Sequence, residues 1–175
     1  MKRLSKFLST DGRLKLYKAF ISANFSYCPI TWIFCGKKNS VKLEKLQERA
    51  LRLVYNDNVS CYTDLLTRSN MLSLSIYRLR FLAIEIYKSV RLENPNYLNK
   101  LFVRKHSVYS LRDSDKLMQP KFNTYTFGYR SFKYYGAELW NSLPKDLKVA
   151  PNSSIFKSKL NGWCRTDAAR SLEIF

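Results

Sequence analysis

The chain is predicted to fold as a mainly α protein, and three observations support that expectation. Apolar residues recur at intervals of three and four in several long windows, the spacing of one face of a helix. Glycine and proline are scarce, five each in 175 residues, so long helices are easier to build than many tight turns. A hydrophobic fraction of 46%, with twelve Tyr and eleven Phe, argues against disorder, which needs low hydrophobicity. The length suffices for one compact domain or two small ones with a real core.

Asp11 reads as the N-cap of a first helix over about 12–23, whose Leu16, Ala19, Phe20 and Ala23 follow i, i+3, i+4, i+7 spacing. A second helix, roughly 26–36, carries Tyr27, Ile30, Trp32, Ile33 and Phe34. Being apolar nearly all round, it is expected to be buried, with a break before it near 24–29. Gly36 ends it, and a polar Lys37-Lys38-Asn39 turn follows. Ser40 is then expected to cap the most regular helix, about 41–55, in which Leu43, Leu46, Ala50 and Leu53 form one stripe. Lys42, Lys45, Arg49 and Arg52 form a parallel basic stripe immediately beside it, which reads either as an ordinary solvated face with Glu48 and Arg52 as an i, i+4 pair or as a phosphate-tracking ridge held against the core. A short helix starts at Ser60 or Thr63 and runs through Leu65-Leu66. Ser73 begins a long one, about 74–92, that is too densely apolar for a surface element and belongs at the centre of the bundle; Pro95 stops it. Residues 97–102 can add one more turn of helix.

Residues 103–128 change character. The segments 108–111 and 116–119 read as short extended stretches around Arg112-Asp113-Ser114-Asp115, a β-hairpin turn by composition. Helix returns at about 129–142, ends before Pro144, and reappears from Ser153 or Ser154 to about Trp163. This ordering predicts a helical domain over 1–102, a smaller α-plus-hairpin subdomain over 103–165 and a tail over 166–175.

Charge narrows the function classes. Lys and Arg number 31 against 13 acids, a net +18, spread as +8 over residues 1–60, +5 over 61–105 and +5 over 106–175. A folded domain that basic repels itself, and a polyanion relieves the repulsion while releasing its own counterions, so nucleic acid is the expected partner. Cys28, Cys35, Cys61 and Cys164 lack the paired short spacings of a zinc site and read as reduced thiols of an intracellular protein, nuclear or cytoplasmic. The uncharged stretch 19–36 is interrupted by Ser22, Asn24, Ser26, Pro29 and Thr31, so no membrane span is expected. Asp113 and Asp115 are the one close carboxylate pair, and a D-x-D in a short turn more often serves the turn than a metal. His106 has no Ser, Cys or acidic partner at a recognisable spacing, and no Gly-rich phosphate loop exists. No cofactor is implied, and nothing points to an enzyme.

Basic residues are, however, interleaved with aromatics. Tyr125, Phe127, Tyr129, Arg130, Phe132, Lys133, Tyr134, Tyr135 and Trp140 lie within sixteen positions. Aromatic faces can stack on unpaired bases while cations meet phosphates. The plainer assignment makes Phe132, Tyr135, Leu139 and Trp140, at helical spacing, core; Arg130, Lys133 and Tyr134 fall on other faces as candidate contacts.

Ordered motifs point further. Leu16-Tyr17-Lys18-Ala19-Phe20-Ile21, Phe25-Ser26-Tyr27-Cys28, Trp32 and the run from Leu43 to Arg52 resemble the region just after the palm of jockey-type non-LTR retrotransposon reverse transcriptases. Asn94-Pro95-Asn96-Tyr97-Leu98, Arg112, Pro120, Ser131-Phe132, Trp140-Asn141-Ser142-Leu143-Pro144 and Phe156-Lys157 are similar to the segment that closes such reading frames. The similarity runs in order from about residue 12 to 164. It implies a thumb-like helical bundle and a post-thumb subdomain that grip template–primer or element RNA during target-primed reverse transcription. The family's catalytic Tyr-Ala-Asp-Asp motif, palm, fingers and endonuclease belong upstream of the matched region. The expectation is thus a non-catalytic C-terminal fragment of an RNA-directed DNA polymerase. It would contact nucleic acid through Lys42, Lys45, Arg49, Arg52, Arg130 and Lys133, and would have the parent's palm and fingers as further partners. The alternative is a retroelement remnant with a protein-interaction role or no retained function.

Overall fold

The computed structural model describes residues 7–105, 115–166, 168 and 169. Among these, the chain forms ten α-helices and two π-helical segments and no strand, so the mainly α expectation holds. No helix among the described residues is long and apolar enough to cross a membrane. Two compact units divide at Arg78/Leu79, within one long helix: Met1–Arg78 with the residues from Ala169, and Leu79–Ala168. The boundary expected at 102/103 lies inside the second unit, because residues 79–102 pack with the helices that follow them.

In the first unit, α1 (Thr10–Leu16) is capped by Ser9, whose Oγ accepts from Gly12 N at 3.3 Å; Asp11 pairs instead with Lys15 at 2.7 Å. The chain continues as a π segment (Tyr17–Ser22) and α2 (Ala23–Ser26). It breaks at Cys28, which takes a left-handed φ of 44°, before α3 (Pro29–Ile33) with Pro29 at its first position. The break is where the sequence placed it, but the burial is not. The wider π turn sets Tyr17 and Ile21, with Leu14, against the core, leaving Ala19, Phe20 and Ala23 outside. Phe20 is 71% and Tyr27 77% exposed, and in α3 only Pro29 and Ile33 are buried.

α4 (Lys37–Tyr55) starts from Gly36 rather than Ser40, and ends at Asn56 in the left-handed region that Asn tolerates. α5 (Tyr62–Ser69) folds back on it; Leu65 meets Tyr17, Ala50, Leu51 and Val54 in one cluster. Polar side chains cross-brace this unit. The Glu44 carboxylate accepts from Tyr62 Oη (2.6 Å), Leu74 N (3.3 Å) and Ser75 N (2.7 Å), while Gln47 Nε2 donates to Leu72 O (3.2 Å). Buried Arg78 donates to Trp32 O (2.9 Å), Cys35 Sγ (3.1 Å) and Ser40 Oγ (2.7 Å).

α6 (Leu74–Val90) is buried along much of its length, as its composition requires. It stops well before Pro95: Leu92 takes φ 61°, Glu93 N donates to Lys88 O (2.9 Å) and Leu92 N to Ser89 O (3.3 Å), a Schellman ending. Asn94 Nδ2 then donates to Ser89 Oγ (2.9 Å), and Asn99 Nδ2 to Asn94 O (2.6 Å), fastening the short α7 (Asn96–Asn99).

In the second unit a π turn (Tyr125–Tyr129) leads to α8 (Phe132–Ser142), capped by Ser131; α9 (Lys145–Lys148) and α10 (Ser153–Trp163) follow. Tyr87 stacks on Phe156 at 4.2 Å between centroids and donates to Ala150 O at 2.8 Å. The described residues do not support the expected β-hairpin. Its arm at 108–111 and turn at 112–114 lie outside the described residues, as does His106. Residues 116–118 pair instead with 103–105, through an antiparallel bridge between Arg104 and Leu117 flanked by Lys105 N to Lys116 O and Met118 N to Val103 O, both 2.8 Å. The opposite edge of Leu117 is closed by a side chain: Leu117 N donates to Asn141 Oδ1 (2.8 Å) and Asn141 Nδ2 to Leu117 O (3.1 Å). Both edges are satisfied in this way, and among the described residues the pairing is a single bridge.

Candidate functional site

Every expected contact on α4 is a long cationic side chain, so the geometry turns on which way the helix faces. At about 100° per residue, the buried Ser40, Gln47, Leu51 and Val54 share one side. Lys38, Lys42, Lys45 and Arg49 fall within about 60° of one another on the opposite side. All four are exposed, and none makes an ion pair with a described residue. The basic row therefore does not lie beside the core stripe, as Leu43, Leu46, Ala50 and Leu53 suggested; Leu46 itself is 51% exposed. It stands as the outer face of a braced helix, over about 16 Å of axis.

Lys38, assigned by sequence to a turn, joins this row because the helix starts four residues early. Arg52 stands apart from it. Its Nη2 donates to Glu48 Oε1 at 2.7 Å, its Nε to the same oxygen at 3.1 Å, and its Nη1 to Asp57 O at 3.5 Å. It closes the end of α4. Asp57 in turn accepts from Val59 N, Ser60 N, Ser60 Oγ and Arg68, and these hydrogen bonds, Ser60's foremost, hold its carboxyl well below the usual aspartate range.

Arg130 and Lys133 belong to the second unit. Arg130 follows the π turn with its guanidinium 5.5 Å over the Tyr125 ring, and Lys133 is exposed on the first turn of α8. The aromatic run separates into two populations. Tyr135, Leu139 and Trp140 are buried, as the core assignment requires, whereas Phe132 is half-buried, edge-on to Phe102 at 5.4 Å; Trp140, 3% exposed, donates from Nε1 to Asp115 O at 3.0 Å. Phe122, Tyr125, Phe127, Tyr129 and Tyr134 remain at least partly open to solvent. The Trp140–Pro144 motif is thus a fastening device: Trp140 and Asn141 hold the segment 115–118, Leu143 is buried, and Pro144 starts α9.

Among the described residues no three His, Cys, Asp or Glu side chains gather to hold a metal. The four cysteines are free; Cys61, at the start of α5, is lowered by hydrogen bonding to Thr63, whereas burial pushes Cys164 up to about 11. A cleft of about 240 Å³ lined by Arg91, Arg104, Asp115, Trp140 and Lys148 is smaller than the roughly 300 Å³ at which ligand pockets begin. Two of its cations are already engaged, Arg91 on Ala150 O and Lys148 on Asn141 O. Comparison with family models, curated proteins and solved structures returns no match.

Proposed function

We propose that this chain grips a nucleic-acid polyanion along the outer face of α4. In this reading it acts as a non-catalytic thumb and post-thumb fragment of a retrotransposon RNA-directed DNA polymerase that holds template–primer or element RNA. The observation that carries the reading is the row Lys38, Lys42, Lys45 and Arg49, four exposed cations on one rigid helix face, in a chain of net charge +18. Such side chains meet phosphates and fix register without reading bases, so the grip has no sequence preference. The thumb assignment rests on the ordered motif resemblance from residue 12 to 164.

The test is the salt dependence of RNA and DNA affinity. Four phosphate contacts predict a log–log slope of about −3 to −4, and neutralising the four residues to Gln removes most of it. A wild-type slope near zero, or one unchanged by the substitutions, overturns the proposal. A second reading, a remnant serving protein–protein contact alone, is favoured by the outward Ala19, Phe20, Ala23 and Tyr27. It predicts that the Gln variants leave nucleic-acid retention as it was.

A further inference from the structure

The second unit holds an aromatic cluster that its core does not use. Tyr125 and Tyr129 stack nearly parallel, 4.8 Å between centroids at 12°. Tyr129 leans on Tyr134 at 5.2 Å, and Phe122 meets Tyr134 edge-on at 4.7 Å and Tyr129 at 5.9 Å. The rings brace one another, yet Tyr125 is 59% and Phe127 85% exposed. The π turn that carries them depends on Gly128: a Cβ there would stand 2.3 Å from Phe122 Cβ, so this backbone runs directly against the Phe122 side chain.

Charge selects the occupant. Between 116 and 137 the chain has Lys116, Lys121, Arg130 and Lys133 and no acid. The acid that Tyr129 and Tyr135 sense is Glu138, which is half-buried. An apolar protein surface laid over Tyr125 and Phe127 would offer the exposed Lys121 and Lys133 no counter-charge. A nucleic-acid strand supplies flat bases and phosphates together. A duplex supplies only the phosphates, because its bases are already stacked on each other.

We infer that Phe122, Tyr125, Phe127, Tyr129 and Tyr134, with Arg130, form a stacking platform for the bases of an unpaired nucleic-acid strand. The inference deepens the proposed nucleic-acid function by naming the strand type, and it assigns the second unit a contact different in kind from the α4 row. Tyr125 is held flat by Tyr129, and the exposed part of its ring and the Phe127 ring are what a base can add to, with little side-chain freedom lost at Tyr125. Arg130 places a guanidinium over that ring, and Lys121 and Lys133 flank the patch in sequence.

The experiment compares the full chain with Tyr125→Leu, Phe127→Leu and the double variant. The probes are an oligothymidylate of about 16 nucleotides, the upper end of a single-strand site, and a blunt duplex of the same length. Each leucine variant is expected to lose about tenfold affinity for the unpaired probe, with unchanged affinity for the duplex, unchanged salt slope and unchanged Tm. Tyr125→Trp restores single-strand binding. Equal loss on both probes, or no loss on either with Tm retained, overturns the platform. So do leucine variants that bind the strand normally but change the sedimentation of the chain, which would reassign the patch to protein contact. The two proposals fail separately. If the α4 salt slope is present and the leucine variants bind as wild type, only the platform falls; if unpaired binding depends on the rings and the α4 substitutions leave the slope unchanged, only the α4 grip falls.

Discussion

Leu92 illustrates how a single residue can work against its own geometry. It holds the C′ position of the Schellman ending of α6 at φ 61°, where a Cβ crowds the following carbonyl and glycine is the usual occupant. Its side chain is exposed, so nothing in the core repays the strain. Leu92→Gly is therefore expected to raise stability by about 0.5–1 kcal/mol, less than the full relief because glycine also gains freedom in the unfolded chain. A shift in urea midpoint at constant slope checks it. Asn56 and Asn70 sit in the same left-handed region, which Asn tolerates better than Leu. Trp140 and Asn141 were legible as a motif, and Trp140 as core. That Asn141 closes the edge of Leu117 was not, because its partner lies 24 positions away.

At the scale of elements, helices were read well and their faces less well. Counting apolar residues placed the core stripe of α4 on Leu43, Leu46, Ala50 and Leu53, because Ser40, Glu44 and Gln47 score as surface. Their polar atoms are instead satisfied inside the unit by Arg78, Tyr62 and the start of α6, and that seam rotates the helix inward on its polar side. Glu44 is the centre of it, a carboxylate at the positive end of α6 that accepts two backbone N–H groups and the Tyr62 hydroxyl. Burial, with Glu44 alongside, pushes the Tyr62 phenol far up, so Tyr62 stays a donor. Glu44→Ala should cost roughly 2–3 kcal/mol, orphaning those donors, whereas Leu46→Ala on the outer side should cost well under 1 kcal/mol. Denaturant unfolding of the two variants decides which face is the core. The same blindness hid the α1 region: the apolar spacing there is real, but a π turn rephases it, and no sequence signal marked the turn.

For the whole molecule the governing quantity is the excess of positive charge, which acid makes larger as carboxylates protonate. Asp57 sharpens the effect. Its carboxyl is held below the aspartate range in the folded chain, so the unfolded chain takes up the proton first as pH falls. The stability it contributes is complete above about pH 5 and drains away below that. The folded chain should lose stability steadily from about pH 5 towards 2, and Asp57→Asn should start less stable at pH 7 yet lose less over that range. Thermal midpoints of both chains across the series test the sign, and a wild type no more acid-sensitive than the variant would contradict it.

Composition and spacing determined the mainly α class, most helix positions and the basic character, because those depend on local propensity and on charge that no fold can remove. The outer cationic row was legible as a row but not as the far side of its helix. Only the tertiary structure decided that Phe20 and Tyr27 face outward, that 116–118 pairs with 103–105, and that Tyr125 and Phe127 stay open while Trp140 is buried. Each of those outcomes depends on a partner remote in the chain or on the phase of a helix. A periodicity can show that a face exists, but which way it turns is set by what it packs against.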